Sequence, residues 1–240
     1  MDIELPITIK PQPDDTTCGP TCLHAVYEYY GDKISLEEVI ESTGMLDDGG
    51  TLAVFLANAA MQRGYEATIY TYNLQMFDPS WFSNGKVDVS ERLRRQAELK
   101  DDPKLQRATA GYMEFLELGG KLRFTDLTRR LIRGILGRQL PVLTGLSCTY
   151  LYRSPRVYGE DDHYDDVRGQ PSGHFVVLAG YHRKDRTVLV ADPYLLNPVA
   201  EGQFYAVDID RVICSIMLGV LTHDANLLVI HPRRRVKTSS

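Results

Sequence analysis

Gln12-Pro13-Asp14-Asp15-Thr16-Thr17-Cys18-Gly19-Pro20-Thr21-Cys22-Leu23 is the stretch from which the rest of the chain can be read. Pro20 suits the first turn of a helix, where a missing N–H costs nothing, and Tyr29-Tyr30-Gly31 supplies a glycine stop. Between them Leu23, Val26, Tyr27 and Tyr30 fall at i, i+3, i+4 and i+7, the spacing of a buried helical stripe. Cys18 therefore stands where the unpaired N–H groups and the positive end of a helix gather. Thiols in such settings are acidified, in known cases to roughly 3.5–7.5 from about 8.5, and the thiolate is the nucleophile.

A second stretch answers the first. Gly173-His174-Phe175-Val176-Val177-Leu178-Ala179-Gly180-Tyr181, the polar His182-Arg183-Lys184-Asp185-Arg186, and Thr187-Val188-Leu189-Val190-Ala191-Asp192-Pro193 read as strand, turn, strand. A hairpin turning about Arg183 sets His174 directly opposite Asp192, with both side chains on one face and Cβ atoms about 4.5–5.5 Å apart. A carboxylate at that distance fixes the imidazole tautomer and leaves the other ring nitrogen facing a nucleophile. A slip of two residues keeps the pair on one face, whereas a slip of one separates it. Cys18, His174 and Asp192 are thus candidates for nucleophile, base and orienting acid of a thiol hydrolase that needs no cofactor and no metal.

Gln12, Cys18-Gly19-Pro20, Tyr29-Tyr30-Gly31, Gly173-His174-Phe175-Val176-Val177-Leu178 and Asp192-Pro193, taken in this order and spacing, resemble the bacteriocin-processing cysteine peptidases, a branch of the papain-like superfamily. The resemblance covers residues 7–72 and 141–197. It implies a papain-like α+β fold, with Cys18 as nucleophile, His174 as general base and Asp192 as its orienting partner. It also implies that Gln12, upstream of the cysteine, helps to form an oxyanion hole. Members that trim secreted peptides at a double-glycine site are often fused to a membrane transporter, and this chain has no run of ~18 or more apolar residues that could span a bilayer. A charged, helical 75–139 segment is the other departure, an insertion that the compact family domain does not need and a possible face for a protein partner.

Composition bounds these readings. A chain of 240 residues, 43% hydrophobic and 25% charged, can build one sizeable core, and a single catalytic domain over 1–240 with that insertion is expected. A formal net charge of −5 argues against nucleic acid as the main partner, while the resemblance implies a peptide or protein substrate. Met1 to Pro6 has neither a basic start nor an apolar core, so it does not read as a secretory signal, and the cytoplasm is the expected compartment. There the four cysteines would remain thiols.

Local signals place the remaining parts. Ser35-Leu36-Glu37-Glu38 is a capping box for a short helix, and Thr51 is expected to cap the next, with Leu52, Phe55, Leu56 and Ala59 inward. Tyr65–Tyr72 reads as a strand; Val89–Lys100, Leu105–Leu118 and Thr125–Arg138 have helical spacing. Strands follow at Pro141–Ser147, His174–Tyr181, Val188–Asp192, Phe204–Asp208 and Leu227–His231, so helices precede a mostly antiparallel sheet. Cys22, one turn beyond Cys18, reads as core, and Cys148 and Cys214 read as structural thiols in apolar surroundings. Gln12 has a rival reading as an ordinary loop amide between two prolines. The long polar loop 150–172 is a candidate wall of the substrate groove. His163 and its neighbouring aspartates lack the loop geometry of a cation site. The same triad would serve a peptidase, an amidase or an acyl transferase, and a non-catalytic peptide-binding module is the reading from another class.

Overall fold

The structure is a computed structural model, and the residues described are 2–46, 49–83, 85, 87–159, 163–222 and 224–233. The basic tail from Arg234 and the acidic Glu160–Asp162 lie outside them. The described strands, in chain order, are β1 (Ile3–Glu4), β2 (Tyr65–Thr71), β3 (Lys121–Arg123), β4 (Val142–Ser147), β5 (Val157–Tyr158), β6 (His163–Tyr164), β7 (Gly173–His182), β8 (Thr187–Ala191), β9 (Phe204–Asp208) and β10 (Asn226–Pro232). The helices are α1 (Cys18–Tyr29), α2 (Leu36–Ser42), α3 (Ala53–Gln62), α4 (Val89–Leu99), α5 (Pro103–Glu117), α6 (Arg129–Leu136), α7 (Cys148–Tyr152) and α8 (Ile209–Leu218). One sheet runs β3-β2-β10-β4-β7-β8-β9, with β1 added beside β7, and only the β2–β3 pair is parallel. This is the mixed, mostly antiparallel architecture expected of a papain-like fold.

Helix α1 owes its place to its first turn. Gly31, at φ +75°, ends the segment, and every residue from Gly19 to Tyr27 is buried. A Cβ on Gly19 would lie 2.4 Å from Thr51 Cγ2 and 3.3 Å from Leu56 Cδ1, so only glycine lets the helix start settle on α3 and β7. One turn on, Cys22 Sγ donates to Phe175 O at 3.3 Å, fastening α1 to β7. Strand β7 is buried from Phe175 to Tyr181, which requires cover on both faces; α1 and α3 contact each other on the sheet, as do α6 and α8.

The β7–β8 hairpin differs from the expected register. The turn takes in Arg183 to Arg186, so Tyr181 faces Val188 and Gly180 faces Leu189. Extended without interruption, that register would put His174 and Asp192 on opposite faces. A bulge at Ala179 intervenes, and beyond it Leu178 faces Val190 and Val177 faces Ala191. Asp192 then lies diagonal to His174 on the same face, a two-residue offset from direct opposition. The bulge is braced by β1: Leu5 N donates to the Ala179 carbonyl at 2.8 Å, and a Cβ on Gly180 would meet the Ile3 carbonyl at 2.5 Å.

Other expectations need correction. Helix α3 is capped not by Thr51 but from afar: Leu52 is its N-cap, Asp224 Oδ2 accepts from Ala53 N at 2.8 Å, and Thr51 Oγ1 donates instead to Gly44 O. The helix expected over Thr125–Arg138 begins only at Arg129, with Thr128 accepting from Leu131 N as its cap. Strand β3 and helices α7 and α8 were not foreseen, although Asp208 as cap and Ile209, Val212 and Ile216 on one face are legible signals for α8. The 75–139 segment does not stand off from the sheet. Leu93, Phe115, Ile132, Ile135 and Leu136 are buried, α5 packs on α3, and α6 packs on β7.

Candidate active site

Cys18 is the first residue of α1 and half-buried. Thr17, the N-cap, makes no side-chain bond to the helix, because its hydroxyl donates to Asp14 O at 3.3 Å. The first-turn N–H groups are therefore left without a side-chain cap beside the sulfur, where they can serve an incoming oxyanion.

His174 enters from the start of β7 with its side chain about nine-tenths buried. Its Nε2 is 2.8 Å from Asp192 Oδ1, and the Cys18 side chain lies close enough to act on the ring electrostatically. Burial alone would lower its pKa, but the charge and hydrogen bond of Asp192, and then Cys18, overturn this and raise it well above 6.5. Tyr152 and Tyr194 flank the imidazole, with ring centroids 6.2 and 6.4 Å away.

Asp192 is fully buried, and four donors converge on it. Its Oδ1 accepts from His174 Nε2 and from Tyr194 N at 2.9 Å, while Oδ2 accepts from Tyr152 OH at 2.7 Å and Tyr205 OH at 2.5 Å. Burial pushes this carboxyl up, but His174 and these hydrogen bonds more than offset it, and the group stays below its usual 3.8. Burial and then the Asp192 charge push both phenols far upward, so they remain donors at any working pH. A carboxylate so held is a fixed charge that keeps the imidazole turned toward the sulfur.

Sequence reasoning missed Tyr152 and Tyr205. Tyr205 pairs with Val190, two residues before Asp192 and on its face, so the β8–β9 pairing was the available signal. Tyr152 had none, since α7 read as loop.

Gln12 lines the same cleft as His174. Its backbone N–H donates to Pro193 O at 3.0 Å, tying it to the chain just beyond Asp192. Its Nε2 donates one hydrogen to Asp14 O at 2.9 Å and carries a second, while Oε1 is buried without a partner. The cavity here is about 350 Å³, and the 150–172 loop does contribute its wall through Tyr152, Ser154, Pro155, Val157 and Tyr164.

The cysteines separate by position. Cys22 is buried, and burial drives its thiol well above the usual value. Cys148, expected among apolar neighbours, instead lines the cleft half-buried, with Sγ on Ser172 O at 3.3 Å and its thiol pushed up by burial. Cys214 is exposed rather than structural. Among the described residues no three His, Cys, Asp or Glu side chains are grouped to hold a metal ion. Asp165, near His163, spends its carboxylate on Val167 N, Arg168 N and Arg168 Nε, which closes a turn. No described helix is long and apolar enough to cross a membrane.

A helix-borne thiol and a strand-borne imidazole on a mostly antiparallel sheet give this chain the layout of the papain-like class. More particularly, residues 7–84, which carry Cys18, match the sequence model of the Peptidase C39 family. No curated protein matches. Among solved structures the chain is similar to xylellain, a cysteine protease from Xylella fastidiosa, at 13% identity and TM-score 0.47 over 97% of this chain and 86% of that one. It is similar to a C39-like peptidase from Bacillus anthracis at 13% identity and TM-score 0.46, over 97% and 98% of the two chains. It is also similar to a double glycine motif protease from an AMS/PCAT transporter, solved with its leader peptide, at 15% identity and TM-score 0.44 over 95% and 94%.

Proposed function

We propose that the protein cleaves a peptide or amide bond through a Cys18–His174–Asp192 triad and a thioester intermediate. The observation that carries this reading is His174, bonded to a buried carboxylate and close to the side chain that opens α1. Cys18 would attack as the thiolate paired with protonated His174, forming a tetrahedral oxyanion. The Cys18 N–H and the free hydrogen of Gln12 Nε2 would receive that oxygen; losing one such donor typically costs about 2.7–4 kcal/mol of barrier. His174 then protonates the departing amine, and water, deprotonated in turn by His174, releases the acid from the thioester. Asp192 stays ionised throughout. An amine in place of water would make the same site an acyl transferase. The free thiols suit a reducing compartment such as the cytoplasm, and the exposed faces of the 75–139 helices are free to meet a protein partner.

The test is a mass-spectrometric search for an acyl adduct on Cys18 after incubation with peptide-rich cell extract and rapid acid quenching. An adduct on the Cys18 peptide, absent from Cys18→Ala, is expected, and its mass identifies the acyl group. Turnover that persists in Cys18→Ala would remove the thioester mechanism.

A further inference from the structure

The cleft has a second chemical character beside the thiol. Asp15, Tyr164 and Tyr194 line it together with His174, and no lysine or arginine does so among the described residues. Asp15 is exposed and, among the described residues, has neither hydrogen bond nor ion pair, whereas its neighbour Asp14 spends Oδ1 on the N–H and hydroxyl of Thr16. Tyr164, at the cleft, leaves 62% of its surface to solvent. Tyr194 stands edge-on to His174, so a group lying along it is within a residue or so of the reacting carbonyl.

We propose that this part of the cleft is a subsite for a basic side chain, Lys or Arg, close to the scissile bond of the substrate. The proposal rests on the peptidase reading above. A cation over a tyrosine face is attracted by the ring quadrupole, and the methylene stem of Lys or Arg covers the ring while its head stays at the water-facing carboxylate. An acidic side chain in the same place meets Asp15 and the negative ring faces and is repelled. A neutral aliphatic chain gains only the contact area. Gln12 and Asp15 lie three residues apart in one loop, so the cation and the oxyanion would be received by the same short segment from opposite ends.

The experiment uses the Cys18→Ala protein, which cannot turn substrate over, and fluorescein-labelled nine-residue peptides of Gly, Ala and Ser. Lys, norleucine or Glu is scanned through the positions, and binding is read by fluorescence polarisation. At one position Lys should bind roughly tenfold tighter than norleucine, the combined effect of one exposed ion pair and one or two cation–π contacts, with Glu weakest. Asp15→Lys in that background should invert the order of Lys and Glu, and Tyr164→Ala should cut the Lys advantage a few-fold. Both side chains are exposed, so an unchanged thermal midpoint is expected. Equal affinity of Lys and norleucine at every position, or a Lys preference that survives Asp15→Lys, overturns the subsite. Reactivity of Cys18 in the wild-type chain separates the two failures. A reactive Cys18 with no Lys preference, or with no peptide bound, refutes the subsite alone; a Cys18 no more reactive than Cys214 with no peptide bound removes the peptidase reading and the subsite with it.

Discussion

Replacing Asp192 by Asn removes one charge and keeps the shape of the site. The amide oxygen can still accept from His174 Nε2 and Tyr194 N, and the amide nitrogen can turn to the two phenols, whose oxygens accept as well as donate. Orientation is preserved and electrostatics are lost. Two unit charges about 4 Å apart at an effective dielectric constant near 20 interact by about 4 kcal/mol, or about 3 pKa units. In the wild-type chain this attraction, with a smaller one from Cys18, outweighs burial and holds His174 well above 6.5; in Asp192→Asn burial is opposed mainly by Cys18, and His174 should titrate lower than in the wild-type chain. The stability consequence has a definite sign. His174 contributes stability that is complete below about 6.5 and fades as pH rises through its raised folded value, while Asp192 contributes stability above about 3.8 that fades as pH falls through its lowered one. The two proteins should therefore differ most between those limits. The assay is an NMR titration of the imidazole nitrogens, with the His174 signal assigned by its loss in His174→Gln. A wild-type His174 that titrates at or below 6.5, or one indifferent to Asp192→Asn, refutes the argument.

Iodoacetamide at pH 6 should alkylate Cys18 far faster than exposed Cys214, buried Cys22 or cleft-lining Cys148; equal rates for Cys18 and Cys214, read by peptide mass spectrometry, would count against an activated thiol. Gly19→Ala should cost about 1–3 kcal/mol in urea unfolding by forcing a Cβ against Thr51 Cγ2, and Thr51→Ser, which removes that methyl, should recover part of the loss. Tyr205→Phe strips one of four donors from an ionised buried carboxylate and should cost about 1.5–3 kcal/mol at pH 7, with the difference shrinking as pH falls through the lowered folded pKa of Asp192; a pH-independent difference would mean that the phenol acts by packing alone. Burial pushes buried Asp224 up to about 7, above an unfolded value near 3.8, so folding is penalised progressively as pH rises from about 4 to 7, by about 4 kcal/mol in all. Asp224→Asn should remove that slope, and a stability gain that is constant across the range would exclude it.

The parts of the fold that were legible are those with a strong local period or a cap. Ser35 and Glu38 make both halves of their capping box, and α1 forms where its spacing put it, with Leu23, Val26 and Tyr27 buried along with every other residue from Gly19 onward to Tyr27. What escaped reading was set by distant groups. No local pattern says that Asp224 will cap α3, 171 positions earlier in the chain, because the carboxylate arrives on the approach to β10. Cys148 and Cys214 were misjudged for a related reason. Each lies in a stretch with several apolar residues, but Cys148, between Ser147 and Thr149, begins a one-turn helix that faces the cleft, and Cys214 falls on the outward side of α8.

The histidine–aspartate pair shows how a contact can be read correctly from a register that is not. A hairpin turning about Arg183 puts the two side chains on one face, but the length of the turn was open. The four-residue turn from Arg183 to Arg186 has the wrong parity, and one extra residue at Ala179 restores it. An unpaired residue in the middle of a buried strand needs a partner for its backbone, and β1 supplies one through Leu5 N. The first five residues thus bear on the geometry of the His174–Asp192 pair. Removing them would leave the Ala179 carbonyl without its partner and allow the hairpin to slide by one. That slide would turn Asp192 away from His174 and leave Cys18 facing an imidazole with nothing to hold its ring.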